Sequence, residues 1–299
     1  MKLLPFLLLA LSASGCRFWY KPVPVANAIG EERTVLAGDS MNVYRGARFE
    51  VYGPNAESVY DAYEQLNRAY RAFDRYFGGP SRKLAFVVGR DTLPPLDSGA
   101  IRSFRDRGFT IVQYVRPRGV RTRPRYGALD YGGVLWPIAP TAARQLLAEL
   151  ARAQAHAPAT TSDSALLDAF PLWYRAGVMR LVGDAASPMK DLERVREKRA
   201  VLIPLRDMLP LVRASSADSL VDPSRSDDAD EFSLTLGAQS GMLARYLIER
   251  EGPLVIGRLG RGYLARRTLA EMMAEFKSAP TTVPELERRW LVWVDTREQ

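Results

Sequence analysis

One histidine and one cysteine, His156 and Cys16, occur in 299 residues, and this scarcity bounds the chemistry open to the chain. A lone thiol makes no disulfide framework and no multi-thiolate zinc site. A lone imidazole makes His156 the only histidine base, and AQAHAPATTSDS places it where a helix frays, so the expectation is a surface histidine without a role. Glu149 lies three positions before Arg152, a spacing that brings the two onto one helix face as an ion pair. Arg175 is the alternative partner. Ser187 and Lys190 stand at S-x-x-K spacing, where an amine can take the proton of an attacking hydroxyl. No S-x-N or K-T-G follows them, so the pair lacks the companions that chemistry uses. Five arginines, Arg116, Arg118, Arg121, Arg123 and Arg125, crowd RPRGVRTRPRYG. The prolines keep that stretch extended, so its charges cannot all face one way. It reads as a solvated hairpin loop, with a basic finger for lipid phosphates or anionic glycan as the functional alternative. Asp227, Asp228, Asp230 and Glu231 lack the spacing and the glycine of a calcium loop.

The elements that must position Glu149 span Pro140 to Asp184. The first is a helix from about Thr141 to Ala155, with Leu146, Leu147 and Leu150 on its buried face and Ala148, Arg152 and His156 on another stripe. The second opens at Pro171. This pairing resembles the active-site helices of a gluzincin zinc peptidase, in which H-E-x-x-H sets two imidazoles around a general-base glutamate and the second helix brings a glutamate ligand before a glycine. Here the first motif reads Ala148-Glu149-Leu150-Ala151-Arg152, and the second Trp173-Tyr174-Arg175-Ala176-Gly177. The likeness puts Glu149 at the general-base position and Ala148, Arg152 and Ala176 at ligand positions whose side chains cannot bind metal. Without a metal to lower the pKa of a bound water, Glu149 has no activated nucleophile to serve.

The likeness extends along the chain. Arg48-Phe49-Glu50-Val51-Tyr52 and the long helix after it resemble the amino-terminal part of peptidase MA-like domains. Gly237-Ala238-Gln239-Ser240, Leu243 to Leu247 and Arg289-Trp290-Leu291-Val292-Trp293 resemble that family's carboxy-terminal helices. The resemblance implies a gluzincin-like α+β fold and, with every ligand position lost, no zinc, no other cofactor and no peptidase activity.

MKLLPFLLLALSASGC opens the sequence, with one cation, an apolar run too short to span a bilayer, then small residues leading to cysteine. It resembles a bacterial lipoprotein signal in which Ala13-Ser14-Gly15-Cys16 is the lipobox and Cys16 carries the lipid; an ordinary secretory signal is the alternative. Arg17, in place of a retaining aspartate, directs such a lipoprotein to the outer membrane of a Gram-negative cell. Net charge is +8, almost all from arginine since lysine occurs at six positions. Basic charge can meet lipid headgroups, anionic glycans or nucleic acid, and export argues against the last.

Residues 17–39 contain Pro22 and Pro24 and read as a tether, with Arg33 to Ala37 as an optional short strand. The domain is expected from Ser40. Arg45 to Gly53 alternates as a strand. After Asn55, an N-cap, apolar residues at Val59, Tyr63, Leu66, Tyr70, Phe73 and Phe77 step by four and three until Gly78-Gly79-Pro80. Lys83 to Gly89 and Phe109 to Val115 read as strands, Asp91 to Arg107 as a loop or short helix, and Tyr131 to Ala139 as an edge strand. Helices follow across 234–294. Gly237 to Gly241 is one residue off a G-x-S-x-G elbow and has no strand before it.

These readings predict an α+β protein: a small mixed sheet with a long amino-terminal helix, paired central helices and a carboxy-terminal helical bundle. Residues 1–16 form the signal, 17–39 the tether and 40–299 one domain, its sheet part over about 40–140 and its helical part over about 141–299. The expected role is non-catalytic binding or scaffolding at the envelope, anchored through lipid and meeting an envelope protein or an anionic glycan or lipid. A hydrolase acting without zinc through Glu149 or the Ser187/Lys190 pair is the competing expectation.

Overall fold

A computed structural model describes residues 29–79, 82–89, 92–93, 96–115, 138–158, 160–183, 188–212 and 228–297, with backbone only for 228–233. The fold is α+β. Five strands, β1 (Glu32–Leu36), β2 (Asp39–Arg45), β3 (Phe49–Gly53), β4 (Lys83–Gly89) and β5 (Phe109–Val115), make one mixed sheet in sequence order. The first three run antiparallel, while β3, β4 and β5 run parallel. β1 lies inside the stretch read as a tether, at the place of the optional strand Arg33 to Ala37, so the sheet begins ahead of Ser40. Its side chains are mostly exposed and only Leu36 is buried, so backbone pairing with β2 defines it and no apolar alternation announces it.

Helix α1 (Ala56–Phe77) covers one face of the sheet. Asn55 caps it by accepting the Ser58 N–H at 2.8 Å, and Gly78 ends it at φ 70°, where a residue without Cβ carries no penalty. Of the stripe that the spacing predicts, Val59, Leu66, Tyr70, Phe73 and Phe77 are buried and Tyr63 is half-buried. Each such side chain contributes about 1.5–3 kcal/mol when fully buried. Arg48, just before β3, forks onto Asp74 with bonds of 2.5 and 2.7 Å and lies over the Tyr70 ring. The Tyr70 hydroxyl lies 2.8 Å from the Arg82 carbonyl and 3.1 Å from that of Arg48, so one phenol ties down the entries to β3 and β4. Helix α2 (Ser98–Asp106) covers the other face, with Phe104 against Tyr52, Ala85 and Val87. Burial on both faces explains why KLAFVVG is continuously apolar.

Helix α3 (Ile138–Ala155) begins earlier than the sequence implies: Ile138 and Ala139, read as the end of an edge strand, form its first turn and are buried. Pro140 fits there because an N–H in the first turn has no helical acceptor. Residues 131–137 of that expected strand lie outside the described residues. The short α4 (Asp163–Leu167) leads to α5 (Leu172–Gly183), which packs on α3. The two helices are antiparallel, since Gly183 at the end of α5 meets Pro140 at the start of α3. A Cβ on Gly183 would fall 2.7 Å from the Pro140 nitrogen.

The remaining helices are α6 (Pro188–Glu197), α7 (Leu205–Met208), α8 (Asp228–Glu251), α9 (Val255–Leu264), α10 (Leu269–Met273) and α11 (Val283–Thr296). α8 is their axis. Gly177 of α5 sits where a Cβ would lie 3.1 Å from the Ser240 carbonyl, and Gly237 and Gly241 leave room for the Arg180 side chain. The buried Gln239 amide accepts from the Ile203 N–H at 3.2 Å and donates to the Ile203 carbonyl at 2.6 Å, fixing the approach to α7. Gly237 to Gly241 is therefore packing surface, and Ser240 is fully buried in mid-helix with no access for a substrate. No helix among the described residues is long and apolar enough to cross a membrane.

Candidate functional site

Glu149 lies in the fourth turn of α3 and is 3% exposed. A carboxylate so deeply placed is costly unless paired and hydrogen-bonded. Its Oε1 accepts from Arg152 Nη1 one turn along and from Gln145 Nε2 at 3.3 Å one turn back. Arg152 Nη2 donates to the Thr161 carbonyl and to Asp163 Oδ1 at the start of α4, each at 2.9 Å. One guanidinium thus bridges two carboxylates and a carbonyl from the two ends of the α3–α4 connection. Of the two partners that spacing offers Glu149, Arg152 is the one used. Arg175 turns instead to Asp168 at 3.6 Å and to the Val212 carbonyl.

Ala148 is fully buried in the apolar core and Ala176 is half-buried. His156 follows α3 in the left-handed region at φ 49° with its side chain exposed, as expected of a fraying end. Lys190 is exposed in the first turn of α6. Its partner Ser187 lies outside the described residues, as does Cys16. The basic finger expected of Arg116, Arg118, Arg121, Arg123 and Arg125 also falls wholly outside the described residues, which stop at Val115 and resume at Ile138. Among the described residues no three His, Cys, Asp or Glu side chains gather as metal ligands. Zinc fits this donor set poorly for a positive reason: the group held between Glu149 and Asp163 is a cation that cannot be deprotonated.

Beside the ion pair lies an open groove of about 420 Å³. Its walls are Phe73 from α1, Leu146, Glu149, Leu150 and Ala153 from α3, and the residues entering two parallel strands, Arg82 and Lys83 before and at the start of β4, and Arg107 and Gly108 before β5. Parallel register sets Lys83 opposite Phe109, with the ammonium 5.6 Å from the ring centre. Arg107 Nη1 donates to the buried Glu50 carboxylate at 2.5 Å, and the guanidinium also lies over Phe104 and Phe109. Tyr52 completes this cluster by donating to Glu50 at 2.7 Å; burial and that carboxylate both push its phenol upward. Sequence reasoning did not find the groove, because four separated segments build it. Its only trace in the sequence is a cation immediately before or at the start of each of two apolar strands.

The site holds an ion pair beside a groove with an apolar wall. No protein-family model matches this chain, and neither a curated protein nor a solved structure matches it, so the likeness to peptidase MA-like domains rests on the residues described above.

Proposed function

We propose that this chain is a non-catalytic binding or scaffolding protein of the bacterial envelope, carried on the frame of a zinc peptidase that has lost its metal. The observation that carries the reading is the Arg152 guanidinium, standing where the second imidazole of H-E-x-x-H would be and bonded to Glu149 and Asp163. A carboxylate whose Oε1 already accepts from Arg152 and Gln145, and which is almost closed to solvent, is a poor general base. The antiparallel packing of α3 and α5 supports the peptidase-like frame. Cys16 is the proposed lipid attachment point, which would set the domain on a membrane, at the periplasmic face of the outer membrane in a Gram-negative cell. Its partner in this reading is an envelope protein or an anionic glycan or lipid, not nucleic acid.

The test is metal analysis of the purified protein together with a screen of peptide and cell-wall substrates. The reading expects substoichiometric zinc and no turnover. Zinc at one equivalent, or hydrolysis abolished by Glu149→Gln, overturns it.

A further inference from the structure

We infer that two copies of this chain associate through the solvent face of α1, the acidic half of each helix lying antiparallel against the basic half of the other. Opposite the buried stripe of Val59, Leu66, Phe73 and Phe77, the helix carries Glu57, Asp61 and Glu64 and then Arg68, Arg71 and Arg75. At 3.6 residues per turn these side chains fall within an arc of about 80° and along about 27 Å of the helix. Glu57 and the arginines are exposed, and Asp61 and Glu64 are half-buried. The signs do not alternate. They are segregated about the level of Leu66, and each acid before it is answered by a base equally far beyond it: Glu64 by Arg68, Asp61 by Arg71, Glu57 by Arg75.

That order is unfavourable for a helix on its own. Glu57 and Asp61, like Arg71 and Arg75, are equal charges at i,i+4, and Asp61 and Glu64, like Arg68 and Arg71, are equal charges at i,i+3. Within the stripe only Glu64 and Arg68 make an opposite pair at such a spacing. The macrodipole favours acids in the first turn and bases in the last, which accounts for Glu57 and Arg75 but not for the four charges between them. The same order is self-complementary. A two-fold axis across the helix at Leu66 brings the acids of one copy onto the bases of the other and the reverse, the isologous contact of a symmetric dimer. Glu57 and Asp61 also interact within their own chain, and a carboxylate has acceptor sites for more than one donor. Arg68 donates through Nε to the Glu64 carbonyl at 3.3 Å, and a guanidinium has further N–H groups to give. A partner of one sign, such as a nucleic acid or an anionic bilayer, would be repelled by half of the stripe. Exposed ion pairs are individually weak and screened by salt, so the contact belongs to the transient class.

The experiment is sedimentation equilibrium of the purified full chain at rising protein concentration, in about 0.05 M and about 0.5 M salt. The expected result is a monomer–dimer equilibrium that weakens about tenfold or more at the higher salt. An acidic variant with Arg68→Glu, Arg71→Glu and Arg75→Glu stays monomeric, as does a basic variant with Glu57→Lys, Asp61→Lys and Glu64→Lys, while an equimolar mixture of the two dimerises. Thermal melts verify that both fold. Arg68→Glu alone, which sets like charges across the two-fold axis, weakens the dimer and replaces a triple variant that does not fold. A native chain that is monomeric at low salt, association that survives these substitutions, as contact through the apolar leader would, or a mixture that stays monomeric overturns the proposal. None of these outcomes depends on metal content, so this inference and the non-catalytic reading fail separately.

Discussion

Arg152 donates to the carboxylate of Glu149 one helical turn before it, in a position where Glu149 is almost closed to solvent and Arg152 nearly so. Two opposite charges withdrawn from water stabilise a fold only relative to losing one of them: the pair itself is near neutral against an apolar replacement, while an orphaned partner is expensive. Arg152→Met therefore costs about 3 kcal/mol, measured by urea unfolding, because it strands Glu149 and releases Asp163 and Thr161. Glu149→Gln costs less, about 1–2 kcal/mol, since the amide still accepts from Arg152. The double replacement Glu149→Leu with Arg152→Met loses less than the sum of its single variants. Strict additivity would mean that the contact has no energetic content.

Glu251, at the end of α8, accepts the backbone N–H groups of Lys277, Ser278 and Ala279 at 3.1, 2.6 and 2.7 Å, with Arg258 at 3.6 Å. Burial pushes its pKa up, but the three donors and Arg258 outweigh burial and hold the carboxyl below its ordinary value of 4.5. A carboxyl depressed in the folded state adds stability that is complete above the unfolded value and is lost as pH falls through the folded one. Melting temperature should thus fall on acidification below about pH 4.5, and Glu251→Gln should flatten that fall while lowering stability near neutral pH. An unchanged acid profile in the variant contradicts this assignment.

The β1–β2 turn places Ala37 at φ 51° and Gly38 at φ 89°, both in the left-handed region that a two-residue hairpin requires. Gly38 accepts that conformation freely, whereas the Ala37 Cβ is crowded there at a cost of about 1 kcal/mol. Ala37→Asn should raise stability by about 0.5–1 kcal/mol, read as a higher midpoint in urea, because asparagine tolerates the left-handed region better. A lower midpoint would show that the turn has a different geometry.

Gly183 is where α5 touches the start of α3, and any Cβ there would meet the Pro140 backbone, which cannot swing aside. Gly183→Ala should cost about 1–3 kcal/mol. Gly79→Ala, whose Cβ would meet nothing within 4 Å, should change stability by less than about 0.5 kcal/mol. Equal effects at the two positions would deny close packing of the central helices.

What could be read from the sequence follows from how local its causes are. The α1 stripe, its Asn55 cap and its Gly78 stop are set by spacing within one segment, and the structure has them where the pattern put them. The strand at Lys83–Gly89 was legible because both its faces are buried. β1 was legible only as an optional strand at Arg33 to Ala37, because its exposed side chains leave mainly backbone bonds to define it. The start of α3 was missed because Pro140 looks like a boundary, although a proline belongs comfortably in a first turn. At the site, the Glu149–Arg152 pair was visible as an i,i+3 spacing. The second anchor at Asp163 was not, since it depends on how the chain returns after α3. Nor was the groove, whose Phe73, Arg107 and Leu150 meet only in the folded chain. A run of charge such as Arg116 to Arg125 draws the eye in a sequence, whereas Arg82, Lys83 and Arg107 are scattered singly and converge only through the parallel pairing of β4 and β5.

Zinc content, determined by plasma mass spectrometry on protein equilibrated with excess zinc and freed of loosely held ion by gel filtration, bears most directly on the central claim. With Arg152 holding the two carboxylates, zinc should stay far below one equivalent, and Glu149→Gln should leave that figure unchanged. One equivalent retained by the native chain and lost in Glu149→Gln would contradict the claim.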